Sequence, residues 1–493
     1  VEDAALAGGA AAGDALTGGA GAVFLEVSQQ PYVSVERGAE GGTRMCAVVT
    51  VTVDLAAARE GAAAPAPPSR AEVLLLDCSA SMGYPREKLW AAQDAAAEAV
   101  RALPDGTYFA IVAGRHMAEL VYPTGSGPSA TTLVRADATT RKEAEDAIAR
   151  LVPSGGTAIG SWLALARELF GPRPTAAVRH ALLLSDGRNE HEQRAALAAE
   201  VASCRGLFTC DALGIGEDWD PDELQLVAGG LDGKADAVRD LDALPGEFRA
   251  VTAESAGRHL TGLRLRLTHR PGSAPLTVQQ VHPTRRDLLA DRVTISDRCL
   301  EFRTPPWGDE TREYLVCVAA SRTPQEPVDR ALWLADLKVV REAQEPQGDE
   351  GSIAPQLPPA RPLLVHWTRH RDLYSTYDPK VAHYAHHDAL VRGLEEGRAA
   401  QRAGDPVRAR AAWGEAVRRA HAMGNEPMLQ RLGDVVRIID AAAGEVEIRP
   451  DIRPLDINSA MVLRAHSTML PPQTKRTRQK QQKPQEPQDP ECR

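Results

Sequence analysis

The stretch LLLDCSASMG, residues 74–83, ends an aliphatic run on an aspartate followed by two serines at alternate positions. A buried strand has no use for three oxygen-bearing side chains, Asp77, Ser79 and Ser81, at its tip, whereas a hard cation does. In an extended loop, alternate spacing points all three to the same side, one carboxylate and two hydroxyls without steric conflict. The plainer reading is that they cap the helix beginning near Pro85.

The surroundings decide between the two. From about residue 70 to 255, short aliphatic runs (VLLLD, TYFAIVAG, HALLLSD, LFTCDALGIG) alternate with alanine-rich amphipathic stretches such as EKLWAAQDAAAEAVRAL and TAIGSWLALARELF. Apolar runs separated by amphipathic helices predict a doubly wound, mostly parallel sheet covered on both faces. In such a sheet ligands bind outside the carboxyl ends of the strands. Two further segments reach that edge. PSGGTAIG offers Thr157 after a glycine pair, and HALLLSDG ends on Asp186 before a glycine. Together they give five oxygen-bearing side chains, two of them acidic, and that set suits Mg2+ (or Mn2+ or Ca2+), which takes oxygen ligands and leaves room for a group from a partner.

DxSxS after the first aliphatic strand, a later Thr after Gly-Gly and an Asp in LLLSDG resemble the metal-ion-dependent adhesion site of von Willebrand factor type A domains. The resemblance covers residues 72–255, and Asp77, Ser79, Ser81, Thr157 and Asp186 fill all five positions of the family's motif. It implies binding rather than turnover, with the metal contacting the two serines and either an acid or the threonine. An Asp or Glu carboxylate of a protein partner fills the open position. It also implies a cytoplasmic bacterial scaffold, of the kind found beside kinases, phosphatases and forkhead-associated domains. The alternative is a substrate-gripping accessory subunit of a MoxR-type ATPase or metal-insertion machine. An excess of arginine over lysine and abundant alanine fit a high-GC bacterial source.

Outward from this unit, VFLEVSQQPYVSV and CAVVTVTVDL (within 23–56) read as strands separated by RGAEGG, and AAAREGAAAPAPPSR reads as a linker. After Ala253, β-rich segments recur with turn residues about every ten positions, which predicts an antiparallel sandwich over 256–341. The early pair is too small to stand alone, so it is expected to join these later strands and make the α/β unit an insertion in a β-sandwich. Residues 342–361 form a polar, proline-rich linker. Residues 362–445 predict a small helical module, in which Gly397, Gly404-Asp405, Trp413, Ala416 and Gly424-Asn425 resemble one tetratricopeptide-type hairpin. MLQRLGDVVRIIDAA is its expected third helix, and its groove is a site for a second partner. Residues 1–22 read as a flexible leader and 466–493 as a disordered tail.

The bulk composition sets limits. With 493 residues, about three folded units are expected. A formal charge of -10 disfavours nucleic acid, and no window approaches the roughly 20 apolar residues of a membrane span. Seven cysteines without a CxxC pair predict reduced thiols and a cytoplasmic chain, with Cys204 and Cys210 read as buried thiols rather than a redox pair.

Other signals carry less weight. His366, His370, His383, His386 and His387 have helical zinc-like spacings, but Pro379 divides them and no HExxH is present, so a polar docking surface is the better reading. No phosphate-binding loop or nucleophile elbow appears. Glu190 and His191 are the only candidates for a general base beside the ion, and Ser161 reads as a packing or capping residue. In the tail, Thr468, Thr474 and Thr477 stand among basic residues, a setting for phosphorylation, although a solvated basic tail explains them more simply.

Overall fold

The computed structural model describes residues 23–39, 42–55, 69–124, 133–171, 176–342 and 357–470. The expected leader, the linker segments 56–68 and 343–356, and the tail beyond residue 470 lie outside them.

The α/β unit is built on one sheet. Its strands run in the order Ala235–Val238, Thr209–Ile215, Val178–Ser185, Arg70–Asp77, Tyr108–Gly114, Glu119–Tyr122. The first five are mutually parallel, while Glu119–Tyr122 is antiparallel at the edge. All eight residues of Arg70–Asp77 are buried. Burial on both faces explains the unbroken apolar stretch Val73–Leu76: Val73 and Leu75 pack with Trp162, Leu163, Val201 and Val227 on one face. Leu74 and Leu76 pack with Ala92, Ala96, Ala99 and Phe248 on the other. The small alanines of the helix Glu87–Ala102 let it lie close on the sheet. From Arg70–Asp77 the chain crosses to Tyr108–Gly114 and later returns to the opposite side at Val178–Ser185, so the strand order reverses at the tips carrying Asp77 and Asp186.

Two further sheets share a single apolar cluster. One, wholly antiparallel, orders Val23–Gln29, Thr43–Val53, Glu310–Ala320, Pro275–His282 and Arg286–Asp287. The other orders Val293–Ser296, Cys299–Arg303, Leu263–His269, Ala331–Arg341, Arg361–Thr368 and Tyr32–Ser34, the last pair being parallel. Val49, Val51 and Val316 of the first meet Leu265, Phe302, Leu337 and Trp367 of the second. Thr43–Val53 pairs along its whole length with Glu310–Ala320. The α/β unit therefore enters and leaves the chain between strands of these two sheets.

Four expectations are corrected. The region 362–445 is not helical from its start, because Arg361–Thr368 is a strand whose Leu363, Val365 and Trp367 point inward at period two. MLQRLGDVVRIIDAA is not one helix: the helix Glu426–Val435 gives way to the strand Val436–Asp440, paired with Glu445–Ile448, where β-branched residues cluster. Cys46 and Cys317 are not free thiols, since they face each other across paired strands and form a disulfide. With that bond, the cysteine argument for a reducing compartment falls. Finally, residues 466–470 do not begin a free tail, because the backbone oxygens of Ser467 and Thr468 accept bonds from His282 and His383, and Ser467 N–H donates to Pro283 O.

The helices Pro379–Arg402 and Pro406–Ala422 pack as a hairpin, with Trp413 seated on Gly397. Their apolar face, with Leu390, Leu394 and Val417, is covered by Met428, Leu432, Leu455 and Met461 of this same chain. The groove expected to take a second partner is filled from within. The short helix Pro454–Val462 then joins the hairpin to the α/β unit, where Asn458 Nδ2 donates to Trp219 O at 3.0 Å. Among the described residues no helix is long and apolar enough to cross a membrane.

Candidate metal centre

Three loops meet above the reversal point of the central sheet. The first follows Arg70–Asp77 and turns into a short 3-10 turn at Ala80–Gly83. The second carries Gly155, Gly156 and Thr157, and is tied to the first by Ala80 N–H donating to Gly155 O and Ser154 N–H to Cys78 O. The third is Asp186-Gly187 at the end of Val178–Ser185.

Asp77 is fully buried beneath them. Its Oδ1 accepts from Ser79 N at 2.8 Å and its Oδ2 from Ser185 Oγ at 2.8 Å, so both oxygens are held by the protein. Ser79 Oγ and Ser81 Oγ lie 2.8 Å apart, and Ser81 Oγ donates to Asp186 Oδ1 at 2.7 Å. A Cβ placed on Gly187 would lie 3.4 Å from Ser81 Oγ and 3.6 Å from Thr157 Oγ1, so both hydroxyls border one small space. The structure thus draws Asp77, Ser79, Ser81, Thr157 and Asp186 together.

Two residues escaped the sequence reading. Ser185 anchors Asp77, and Lys88, 8 % exposed, places Nζ 2.8 Å from Asp186 Oδ2. A serine at the end of a buried strand and a lysine in a first helical turn carry no local signature. Lys88 takes one oxygen of Asp186 and leaves the other facing the serines.

Burial first, and the Asp186 carboxylate second, push Asp77 up to about 6, against the hydrogen bonds from Ser79 and Ser185. Two buried carboxylates that repel one another are what a divalent cation offsets. The donor set fits such an ion, since hydroxyl and carboxylate oxygens surround the space with no thiolate or imidazole among them.

The rim has its own character. The His116 ring lies against Gly155 and the His191 ring against Gly156, with the two ring centres 6.4 Å apart. His191 N–H donates to Thr157 O, and Glu190 sits exposed beside it. Tyr84, Met117 and Val152, on the loops that enclose the site, are 87 %, 69 % and 61 % exposed.

The other candidates do not gather. His366 lies in a strand, so its spacing to His370 gives no shared helical face. His383 and His387 are spent on the backbone oxygens of Thr468 and Arg464, and His386 contacts Arg419. No group of three or more His, Cys, Asp or Glu suited to a metal occurs among the described residues. Ser161 Oγ donates to Ala158 O, a capping contact. Cys204 and Cys210 are buried thiols. Thr468 is tied to the end of the helix Pro406–Ala422, its Oγ donating to Met423 O, while Thr474 and Thr477 lie outside the described residues.

A model of the von Willebrand factor type A domain matches residues 72–236. The solved von Willebrand factor type A protein from Catenulispora acidiphila is 33 % identical, with a TM-score of 0.78 over 91 % of this chain and 97 % of that one. The chain belongs to the von Willebrand factor type A family. The ArnB paralog VWA2 from Sulfolobus acidocaldarius shares the fold, with a TM-score of 0.53 at 13 % identity over 90 % of this chain and 98 % of that one. An uncharacterized protein from Synechocystis sp. is 30 % identical over 221 residues, 44 % of this chain and 49 % of that protein, so this chain spans about half the length of that curated relative.

Proposed function

We propose that this chain binds a protein partner through a divalent cation, with a partner carboxylate completing the ion's coordination. The von Willebrand factor type A domain is in general a protein-interaction module, and the cation is the specific step added here. Ser79, Ser81, Thr157 and Asp186 would hold the ion, and Asp77 would orient the two serines from beneath. The ion would join two carboxylates of which Lys88 already offsets one, so the loaded site keeps a net positive charge for the partner's acid, felt most where water is partly excluded. The exposed Tyr84, Met117 and Val152 would exclude water once a partner covers them. They suit an Asp or Glu flanked by apolar side chains.

The observation that carries this reading is the joining of Ser79, Ser81 and Asp186 by hydrogen bonds of 2.7 and 2.8 Å around one space. Titration of the chain with Mg2+ and Mn2+ by calorimetry tests the first half, with one site expected and a loss of about tenfold or more in affinity for Ser81→Ala or Thr157→Val. Capture from lysate in Mg2+ against EDTA, read by mass spectrometry, tests the second. Equal capture in EDTA would remove the mechanism.

A further inference from the structure

Beside the metal centre, on the same carboxyl edge of the sheet, a separate cavity of about 310 Å³ opens between the α/β unit and the C-terminal helices. Four arginines line it from three directions. Arg188 follows the Asp186 loop, Arg398 and Arg402 come from the end of the helix Pro379–Arg402, and Arg453 precedes the helix Pro454–Val462. Arg398 is only 7 % exposed, with Nη1 3.0 Å from Asp222 Oδ2, and its Nε is buried with no hydrogen-bond partner. Arg453 pairs with Asp456 at 3.2 Å. The side chains of Arg188 and Arg402 are exposed and make no hydrogen bond or ion pair among the described residues, although the Glu223 carboxylate lies within electrostatic reach of Arg188.

Two helix N-termini also border the cavity, at Pro221 and Pro454, each contributing positive end charge. Glu217 and Asp220 stand on the rim; Asp220 caps the helix Pro221–Gly230 and lies 3.9 Å from Arg398 Nη2, so the binding charge falls to Arg188 and Arg402. Arg402 alone is the ordinary basic residue of a helix C-terminus. Arg453 is held by Asp456 at the start of the helix Pro454–Val462, but Arg188 has no such local partner, and its convergence with Arg402 needs another explanation. The remaining wall, with Ile452 and Ile457, is apolar.

We propose that this cavity binds a phosphate monoester, with the phosphoryl group between Arg188 and Arg402 and its carbon body against Ile452 and Ile457. Arginines approaching from different elements match a tetrahedral oxyanion, whose oxygens accept from several directions, better than a single planar carboxylate. The volume exceeds what a bare phosphate needs and lies at the lower end for small organic ligands. The site does not depend on the metal reading, because none of its donors belongs to the metal set.

The test is calorimetry on the full chain in EDTA, which silences the metal centre, with phenyl phosphate, inorganic phosphate and phenol. Phenyl phosphate is expected to bind at one site, inorganic phosphate more weakly, and phenol not measurably. Arg402→Gln and Arg188→Ala, both at exposed positions, should leave the fold intact by circular dichroism. Each should weaken phenyl phosphate by about tenfold or more, the worth of one charge-assisted hydrogen bond. A phosphothreonine peptide binding as tightly as phenyl phosphate would assign the natural source to a protein side chain, and its failure alongside phenyl phosphate binding would assign it to a free metabolite. Phenyl phosphate binding no tighter than phenol, or binding untouched by both substitutions, overturns the proposal.

Discussion

Lys88 Nζ lies 2.8 Å from Asp186 Oδ2, with the carboxylate fully buried and the lysine nearly so. An ion pair inside a proposed cation site sets the site's charge, since the lysine cancels one of the two acids before any metal arrives. Lys88→Met keeps the stem and removes the charge. The variant should lose about 3–5 kcal/mol without metal, because Asp186 is left buried and unpaired. Its divalent affinity should rise about tenfold or more, because the competing positive charge is gone. Scanning calorimetry with and without millimolar Mg2+ decides the matter. A melting temperature that gains no more from Mg2+ in Lys88→Met than in the wild type would contradict the placement of the ion beside Asp186.

The disulfide between Cys46 and Cys317 joins strands 271 residues apart in sequence, so it ties the chain before the α/β unit to the chain after it. Cross-linking so long a loop restricts the unfolded chain more than the folded one. Cys46→Ala with Cys317→Ala should cost about 2–5 kcal/mol in the two-sheet unit, read by urea denaturation. In parallel, alkylation of the unfolded wild type without reductant should modify two fewer thiols than with it. Equal labelling would show that the bond does not form in solution.

The legibility of this structure in the sequence follows the range of the forces involved. The strand Arg70–Asp77 was readable because burial on both faces demands an unbroken apolar run. The meeting of Asp77 and Asp186 was readable because parallel strands of one sheet present their carboxyl ends together, whereas Thr157, in the loop between the helices Ala138–Ile148 and Ile159–Phe170, was legible only through the family motif. Trp367 was not, because one inward alternation of three residues is too short to outweigh the histidines and helix formers that follow it. Neither Lys88 nor the Cys46–Cys317 pair could be read, because each is defined by a partner 98 or 271 residues away. Spacing within a segment reports local geometry and not such distant pairings.

Gly397 shows local spacing working well. A Cβ on this residue would come within 2.6 Å of the Trp413 ring, which is fully buried and hydrogen-bonded through Nε1 to Gln401. Gly397→Ala gains about 1 kcal/mol of helix propensity, but overpacking costs about 1–3 kcal/mol, and a rigid indole with a fixed Nε1 partner cannot retreat cheaply. The net effect should be a destabilised helical hairpin, seen as faster amide exchange over Pro379–Arg402 and Pro406–Ala422. Unchanged exchange there would mean that Trp413 has room to move.

At the opposite edge of the central sheet from the metal centre, His180 is buried between Glu72, 2.5 Å from Nδ1, and Asp211, 3.0 Å from Nε2. Ser255 and Arg258 close the cluster from the helix Leu244–Gly257 and the segment that follows it. Burial pulls the imidazole down, but the Glu72 charge and the hydrogen bonds with Asp211 and Glu72 outweigh it and hold His180 at about 9. Because the folded value lies above the ordinary histidine value, charged His180 stabilises the fold fully below about pH 6.5, and that contribution is lost as pH rises through about 9. The reciprocal partner, Asp211, is held well below the usual carboxylate range despite its burial, chiefly by His180. Its contribution is therefore present at neutral pH and disappears only in strong acid. The urea midpoint of the wild type should accordingly fall between about pH 6.5 and about pH 9. His180→Gln should begin lower, with Glu72 and Asp211 deprived of their shared cation and left to Arg70 and Arg258, and stay nearly flat across the same window. Parallel curves for the two proteins would show that His180 is neutral in the native state and that the cluster is held by hydrogen bonds alone.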